Sequence, residues 1–306
     1  MTADTLLAVF AGILGGALRV GAPFLFVSLG ECITEKAGRI NLGLEGVLVL
    51  SAMAAFGGAY FSGSVWIGVL VAMAAGAALA ALHGVLCSLP RVNDVATGIA
   101  LMLLGTGLAF YLGKPLIQPQ APQLPPLELG SWAASPAVKA ALQVNPLVPL
   151  GVLLAGALYW AFGHTRAGLL VRMAGDSSNA ARALGYSVNG IRIAATAAGG
   201  MVAGLGGACL TLFYPGSWNE GISSGQGLIA VALVIFARWS PLRCVGAALL
   251  FGGAGAIGPA LQSAGIGWGY HLFNIVPYVL TLLILVWSCR PGQLAAGSPG
   301  ELSARS

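Results

Sequence analysis

Apolar runs of about 20 residues recur along the chain, near 5–30, 43–61, 65–89, 95–113, 146–163, 191–214, 244–262 and 271–289. A helix needs a run of that length to cross the hydrocarbon of a bilayer. A ninth segment, 227–237, has only eleven apolar residues, with several glycines and Glu220 upstream. That is half a crossing, so the pattern predicts a broken or re-entrant helix there. Hydrocarbon offers backbone groups no partners outside their own segment, which favours helices throughout. The expected fold class is all-α: a polytopic membrane helical bundle of about 8–10 transmembrane helices.

Counting the short segment as a crossing sorts the basic residues unevenly. Lys36, Arg39, Arg91, the arginines of 164–192, Arg238, Arg243, Arg290 and Arg305 fall on one side, and only Lys114 and Lys139 on the other. The positive-inside rule makes the first side cytoplasmic. The C-terminus is then inside and, with nine crossings, the N-terminus outside. Without the short crossing, the preceding sides invert and the charge split becomes poorer. Arg19 lies within the first span. The proline-rich segment 114–145 reads either as an irregular cover over the outer face or as a simple connector. The expected organisation is one transmembrane domain over 1–290, carrying a cytoplasmic loop at 164–192, and a tail over 291–306. That tail is rich in Gly, Ser and Ala and is expected to be disordered.

Composition agrees: 58% hydrophobic and 8% charged residues, with a mean hydropathy of +0.88, are remote from a soluble domain. The net charge of +5 does not indicate nucleic acid, because the basic residues lie between spans rather than on one soluble face. The N-terminus lacks a basic region before its long apolar run, so the first span is expected to be retained. Five cysteines stand singly with no C-x-x-C pair, which suggests neither a disulfide framework nor a metal site. Small residues four apart, Gly12/Gly16, Gly200/Gly204 and Ala203/Gly207, point to close helix packing. No catalytic set is visible. His83, His164 and His271 are scattered, and Gly113-Lys114 runs into Pro115, with Leu108 where a phosphate-binding loop needs glycine. Any ATP-driven step would need another chain.

The most basic loop, Thr165 to Arg192, holds a small helix-like island at 175–185. Asp176 or Ser177 can cap its start, Ala180, Ala181, Ala183 and Leu184 favour helix, and Gly185 suits the left-handed position after the end. A helix of about nine residues is marginal in water, so it needs a surface, either the protein's own or a partner's. Glu45-Gly46-Val47-Leu48-Val49-Leu50 can be laid on Gln226-Gly227-Leu228-Ile229-Ala230-Val231 in opposite membrane orientations. Such a pairing suggests an inverted repeat and a transport pathway, although the match is short. Asn41, Glu45 and Gln226 are therefore candidate pathway residues. The alternative for Asn41 and Glu45 is a structural role beside Lys36, Arg39 or backbone amides. Asn93 and Asp94 read as a helix cap, and Tyr214 and Trp218 as an aromatic belt.

Gly175–Val188, Gly38–Gly46 and Gly225–Phe236 together resemble the permease subunits of bacterial ABC importers for nucleosides and simple sugars, within the ribose and branched-chain amino acid permease superfamily. The resemblance runs from Gly30 to about Trp287, and its specific pair is N-L-G-x-E-G at 41–46 with A-A-R-x-x-G at 180–185. Ser177-Ser178 departs from relatives that carry a proline or a second acidic residue there. The resemblance implies that the island is the coupling helix, with Asp176, Ala180, Ala181, Arg182, Leu184 and Gly185 at the matching positions, seated in a groove of a separate ATPase. It implies no cofactor in this chain, ATP and Mg being bound by that ATPase. It also implies a second permease, a different chain or another copy, an extracytoplasmic substrate-binding protein, and a place in the bacterial inner membrane. The reading from another class is an ion-coupled secondary transporter of a small polar solute. That would need titratable groups deep in the bundle, where only Arg19 is expected.

Overall fold

The computed structural model describes residues 3–131, 138–139, 142–213, 216–263, 275–288 and 298–303. In chain order its helices are α1 (Ala3–Lys36), α2 (Leu44–Ser62), α3 (Val65–Leu86), α4 (Asp94–Gly113), α5 (Leu147–His164), α6 (Arg166–Asp176), α7 (Ser178–Ala183), α8 (Val188–Leu212), α9 (Gln226–Phe236), α10 (Pro241–Ser263), α11 (Val276–Ser288) and α12 (Gly300–Ser303). Among the described residues, α1 to α5, α8 and α10 are long and apolar enough to cross a membrane. The expected eighth span, 271–289, is described over 275–288 and is helical over Val276–Ser288. Among the described residues the one sheet is a two-residue antiparallel pairing, Leu127–Glu128 with Gln143–Val144.

α8 sits at the centre, packed on α1, α2 and α3. Its sequence explains this, because glycines line several of its faces. A Cβ added at Gly199 would meet the Gly30 carbonyl oxygen of α1 at 2.5 Å, one at Gly200 would collide with Gly76 and Ala80 of α3, and one at Gly207 would come within 2.6 Å of the Ala52 nitrogen of α2. Lipid tails are as apolar as leucine, so these helices gain little from hiding apolar surface and rely on close backbone contact instead. Gly12 and Gly16 form a similar seam between α1 and α10, facing Ala260 and Ala256.

α1 departs from its expected length. The apolar run stops near residue 30, yet the helix continues to Lys36 and ends at Gly38, whose φ of +81° admits the left-handed turn. Glu31 and Glu35 are buried within it. They are accommodated because distant groups donate to them: the Asn41 amide to Glu31 Oε1 at 2.8 Å, and the Trp239 indole to Glu35 Oε2.

The short ninth segment is a broken crossing. Trp218 packs against Gly113 at one end of α4, and Trp239 bonds Glu35 near the other face of the bundle. Between them, 216–225 is irregular and α9 supplies eleven helical residues, about 16 Å of rise. Trp218 is thus buried, 1% exposed, rather than part of a belt at the membrane surface. The segment after α4 is a packed cover: Leu116, Ala121 and Leu124 are buried, and the Leu124 N–H donates to the Leu212 carbonyl at the end of α8. Part of the expected tail is described. Residues 298–303 are ordered against α6, because Glu301 finds donors there that composition does not reveal. Residues 291–297 and 304–306 lie outside the described set.

Candidate functional site

The first site is the junction of α2 and α9. After Gly38 the chain turns back toward α1, where the Asn41 N–H donates to Glu31 Oε1. Asn41 is buried, and its Oδ1 accepts from the Gly43 N–H at 2.9 Å, turning the chain into α2. One turn on, Glu45 meets the start of α9. Its Oε1 accepts from the Ser223 hydroxyl at 2.5 Å and the Gly225 amide at 3.1 Å, and its Oε2 from the Gly227 amide at 2.7 Å. A carboxylate there satisfies amides that begin a helix without partners and complements the positive end of its dipole. A Cβ at Gly227 would lie 2.6 Å from the Glu45 Cα, so the two helix starts touch through backbone. Gln226 stands beside this junction with its carboxamide oxygen buried and without a hydrogen-bond partner.

The structure therefore brings Glu45 and Gln226 together at the junction, while the oxygen of Asn41 is committed to its own turn. Of the structural alternatives for Glu45, backbone amides are the partners found. Arg39 instead forms a buried ion pair with Asp94 at 2.6 Å, and the Lys36 ammonium lies over the Phe162 ring. Asn93 caps α4 as expected, accepting from the Val95 and Ala96 amides.

The second site is the loop 164–192. Thr165 caps α6 and Ser177 caps α7, each through its hydroxyl. The predicted single helix is thus two: Asp176 is the last residue of α6, not the cap, and α7 has only six residues. Gly185, at φ +83°, ends it as expected, and the Tyr186 amide closes the turn on the Ala181 carbonyl. Of the six positions expected to face an ATPase, Asp176, Ala180, Arg182, Leu184 and Gly185 are exposed. Ala181 is not. It is fully buried with Ala174 and Val188 in a small apolar cluster of the loop's own. The outward face of the turn is Arg182, Ala183, Leu184 at 67% exposure and Tyr186 at 47%.

Four residues that matter here escaped the sequence reading. Glu31 and Glu35 lie beyond the apolar run that ends near residue 30, although their spacing of four continues the helix without a breaker before Gly38. Titratable groups inside the bundle are therefore not limited to Arg19. Arg192 is 3% exposed and donates to the Ala37 and Ala174 carbonyls. Glu301 reaches both Arg192 and Ser178.

Known proteins resemble this chain in sequence or in fold. TsgC13 of Haloferax volcanii, provisionally named a glucose ABC transporter permease protein, is 36% identical over 79% of this chain and 75% of its own. The guanosine ABC transporter permease protein NupQ of Bacillus subtilis is 28% identical over 89% of this chain and 90% of its own. The fold is shared with an inward-facing ABC transporter provisionally described as of the metal-chelate type, with a TM-score of 0.52 and 15% identity, over 90% of this chain and 85% of the other. The family model for the branched-chain amino acid transport system permease component matches residues 13–285, taking in the α2–α9 junction and the whole 164–192 loop, and the chain belongs to that family of multi-pass membrane permeases.

Proposed function

We propose that this chain is the membrane-spanning subunit of an ABC importer that carries a neutral, hydroxyl-rich solute, a nucleoside or a simple sugar, inward across the bacterial inner membrane. ATP and Mg²⁺ are bound by a separate ATPase, because this sequence has no phosphate-binding loop. The observation that carries this reading is the outward face of the turn that closes α7. Leu184 and Tyr186 stand exposed in a loop whose arginines place it on the cytoplasmic side, and a short apolar turn held out in water is a docking surface. The same charge rule puts the C-terminus in the cytoplasm.

The α2–α9 junction supports the solute class. A helix start inside a membrane attracts anionic groups, and here the chain's own Glu45 takes those donors. No positive end is left at that point for an anionic solute. Guanosine and glucose, in the names of the relatives, are both neutral and polyhydroxylated. A second permease, identical or different, completes the pathway, and an extracytoplasmic binding protein delivers the solute. Glu31 and Glu35 are the observation that favours an ion-coupled carrier instead, since such a carrier needs buried titratable groups.

The test is uptake into vesicles containing the chain with its co-purified ATPase, nucleosides competing against pentoses. Uptake that requires internal ATP, and a Leu184→Asp variant that loses both the ATPase and uptake, are the expected results. Uptake driven by an ion gradient without ATP would overturn the proposal.

A further inference from the structure

Glu301 joins elements far apart in sequence. Its Oε1 accepts from the Ser178 amide, the first of α7, at 2.8 Å, and its Oε2 lies 3.4 Å from Nη2 of Arg192. Arg192 is almost wholly buried and is itself a hub. Its Nε donates to the Ala37 carbonyl just past α1 at 2.9 Å, and its Nη2 to the Ala174 carbonyl of α6 at 3.0 Å. A buried guanidinium needs a counter-charge as well as acceptors. Glu301 supplies one from the other end of the chain. The fit is steric as well as electrostatic: a Cβ at Gly300 would lie 2.5 Å from the Asp176 carbonyl oxygen, and one at Gly38 would lie 3.2 Å from the Glu301 Cβ. Segment 298–303 is thus seated where the end of α1, the end of α6 and the start of α7 meet.

We propose that segment 298–303 is a strap that fixes the coupling loop to α1 and α8, with Glu301 as a positioning residue acting through Arg192 and the Ser178 amide. A six-residue helix does not hold itself together in water. α7 can transmit a push only if its start is anchored to the helices that must move. Arg192 belongs to α8 and holds α1, and Glu301 connects that pair to α7. Burial acts to raise the Glu301 carboxyl, but the Ser178 hydrogen bonds and the Arg192 charge outweigh it and hold the group below its ordinary value. The sign follows: a depressed carboxyl stabilises the strap above the ordinary glutamate range, and the effect is lost as pH falls through the lowered value. At neutral pH the strap is fully engaged.

This inference rests on reading α7 as the ATPase-docking helix, and its test separates the two. The full permease with its ATPase, in lipid nanodiscs, is compared with Glu301→Ala and with a chain ending at residue 297. Hydrogen exchange of the peptide covering 177–184 reads the anchor directly. Loss of one hydrogen bond to a charged group predicts about tenfold faster exchange in both variants. Solute moved per ATP hydrolysed reads the positioning role and is expected to fall severalfold while the ATPase stays bound. Unchanged exchange would overturn the strap, and faster exchange with an unchanged ratio would overturn its part in coupling. If Leu184→Asp keeps the ATPase, the docking reading fails, yet the exchange result still decides whether the strap exists.

Discussion

Replacing Glu45 by glutamine keeps the shape of the α2–α9 junction and removes its charge. The amide oxygen can serve the Ser223 hydroxyl and the Gly225 N–H as Oε1 does. The NH₂ group must then face the Gly227 N–H that Oε2 accepts at 2.7 Å, donor against donor. A stranded buried donor costs about 1–3 kcal/mol, and loss of a negative charge at a helix start adds about 0.3–2 kcal/mol. Together the change weakens the junction by about 1–5 kcal/mol, or roughly 10- to 5,000-fold in its equilibrium. The expected result is a lower unfolding temperature in detergent and less assembled complex, while each assembled complex keeps the parent's KM. Solute uptake, complex yield and thermal unfolding measured on the same preparations decide it. Normal stability with a raised KM would refute the capping argument and make Glu45 a contact of the solute.

Two further outcomes follow from the same geometry. Ala181→Glu places a carboxylate in the cluster of Ala174 and Val188, so it should open the 164–192 loop to protease, whereas Leu184→Asp should leave that loop protected; equal protection in both variants would show that Ala181 is not a packing residue. A cysteine at Ser178 should be labelled only from the cytoplasm and one at Gln123 only from outside, and labelling from the same side would sink the crossing count.

The membrane spans were legible because each rests on a local property, an unbroken apolar run. The half-length of α9 was legible for the same reason. What the sequence hid depends on partners far along the chain. Glu35 looks like the end of a span until Trp239, 204 residues later, donates to it. Ala181 looks like one more alanine on a helix offered to a partner. Its burial is decided by Ala174 and Val188 on the flanking helices, which no period of a six-residue helix can reveal. The placement of 298–303 hangs on Glu301, in a stretch whose composition otherwise argues against structure. The role of Glu45 stayed open between pathway and support because both call for the same residue. Only the positions of three donors separate them geometrically.

The glycine seams around α8 bear on how such a chain can alternate its access. Helices meeting through interlocked side chains can slip by a rotamer or a turn, since the knobs have other holes to enter. Gly199 on Gly30 and Gly200 on Gly76 offer only the short side chains of Thr34 and Ala80 as knobs, with one backbone lodged against another. Sliding either seam would drive a carbonyl into a Cα. α1, α3 and α8 are therefore geared as a single rotor, and whatever opens and shuts the route must swing around that rotor rather than deform it.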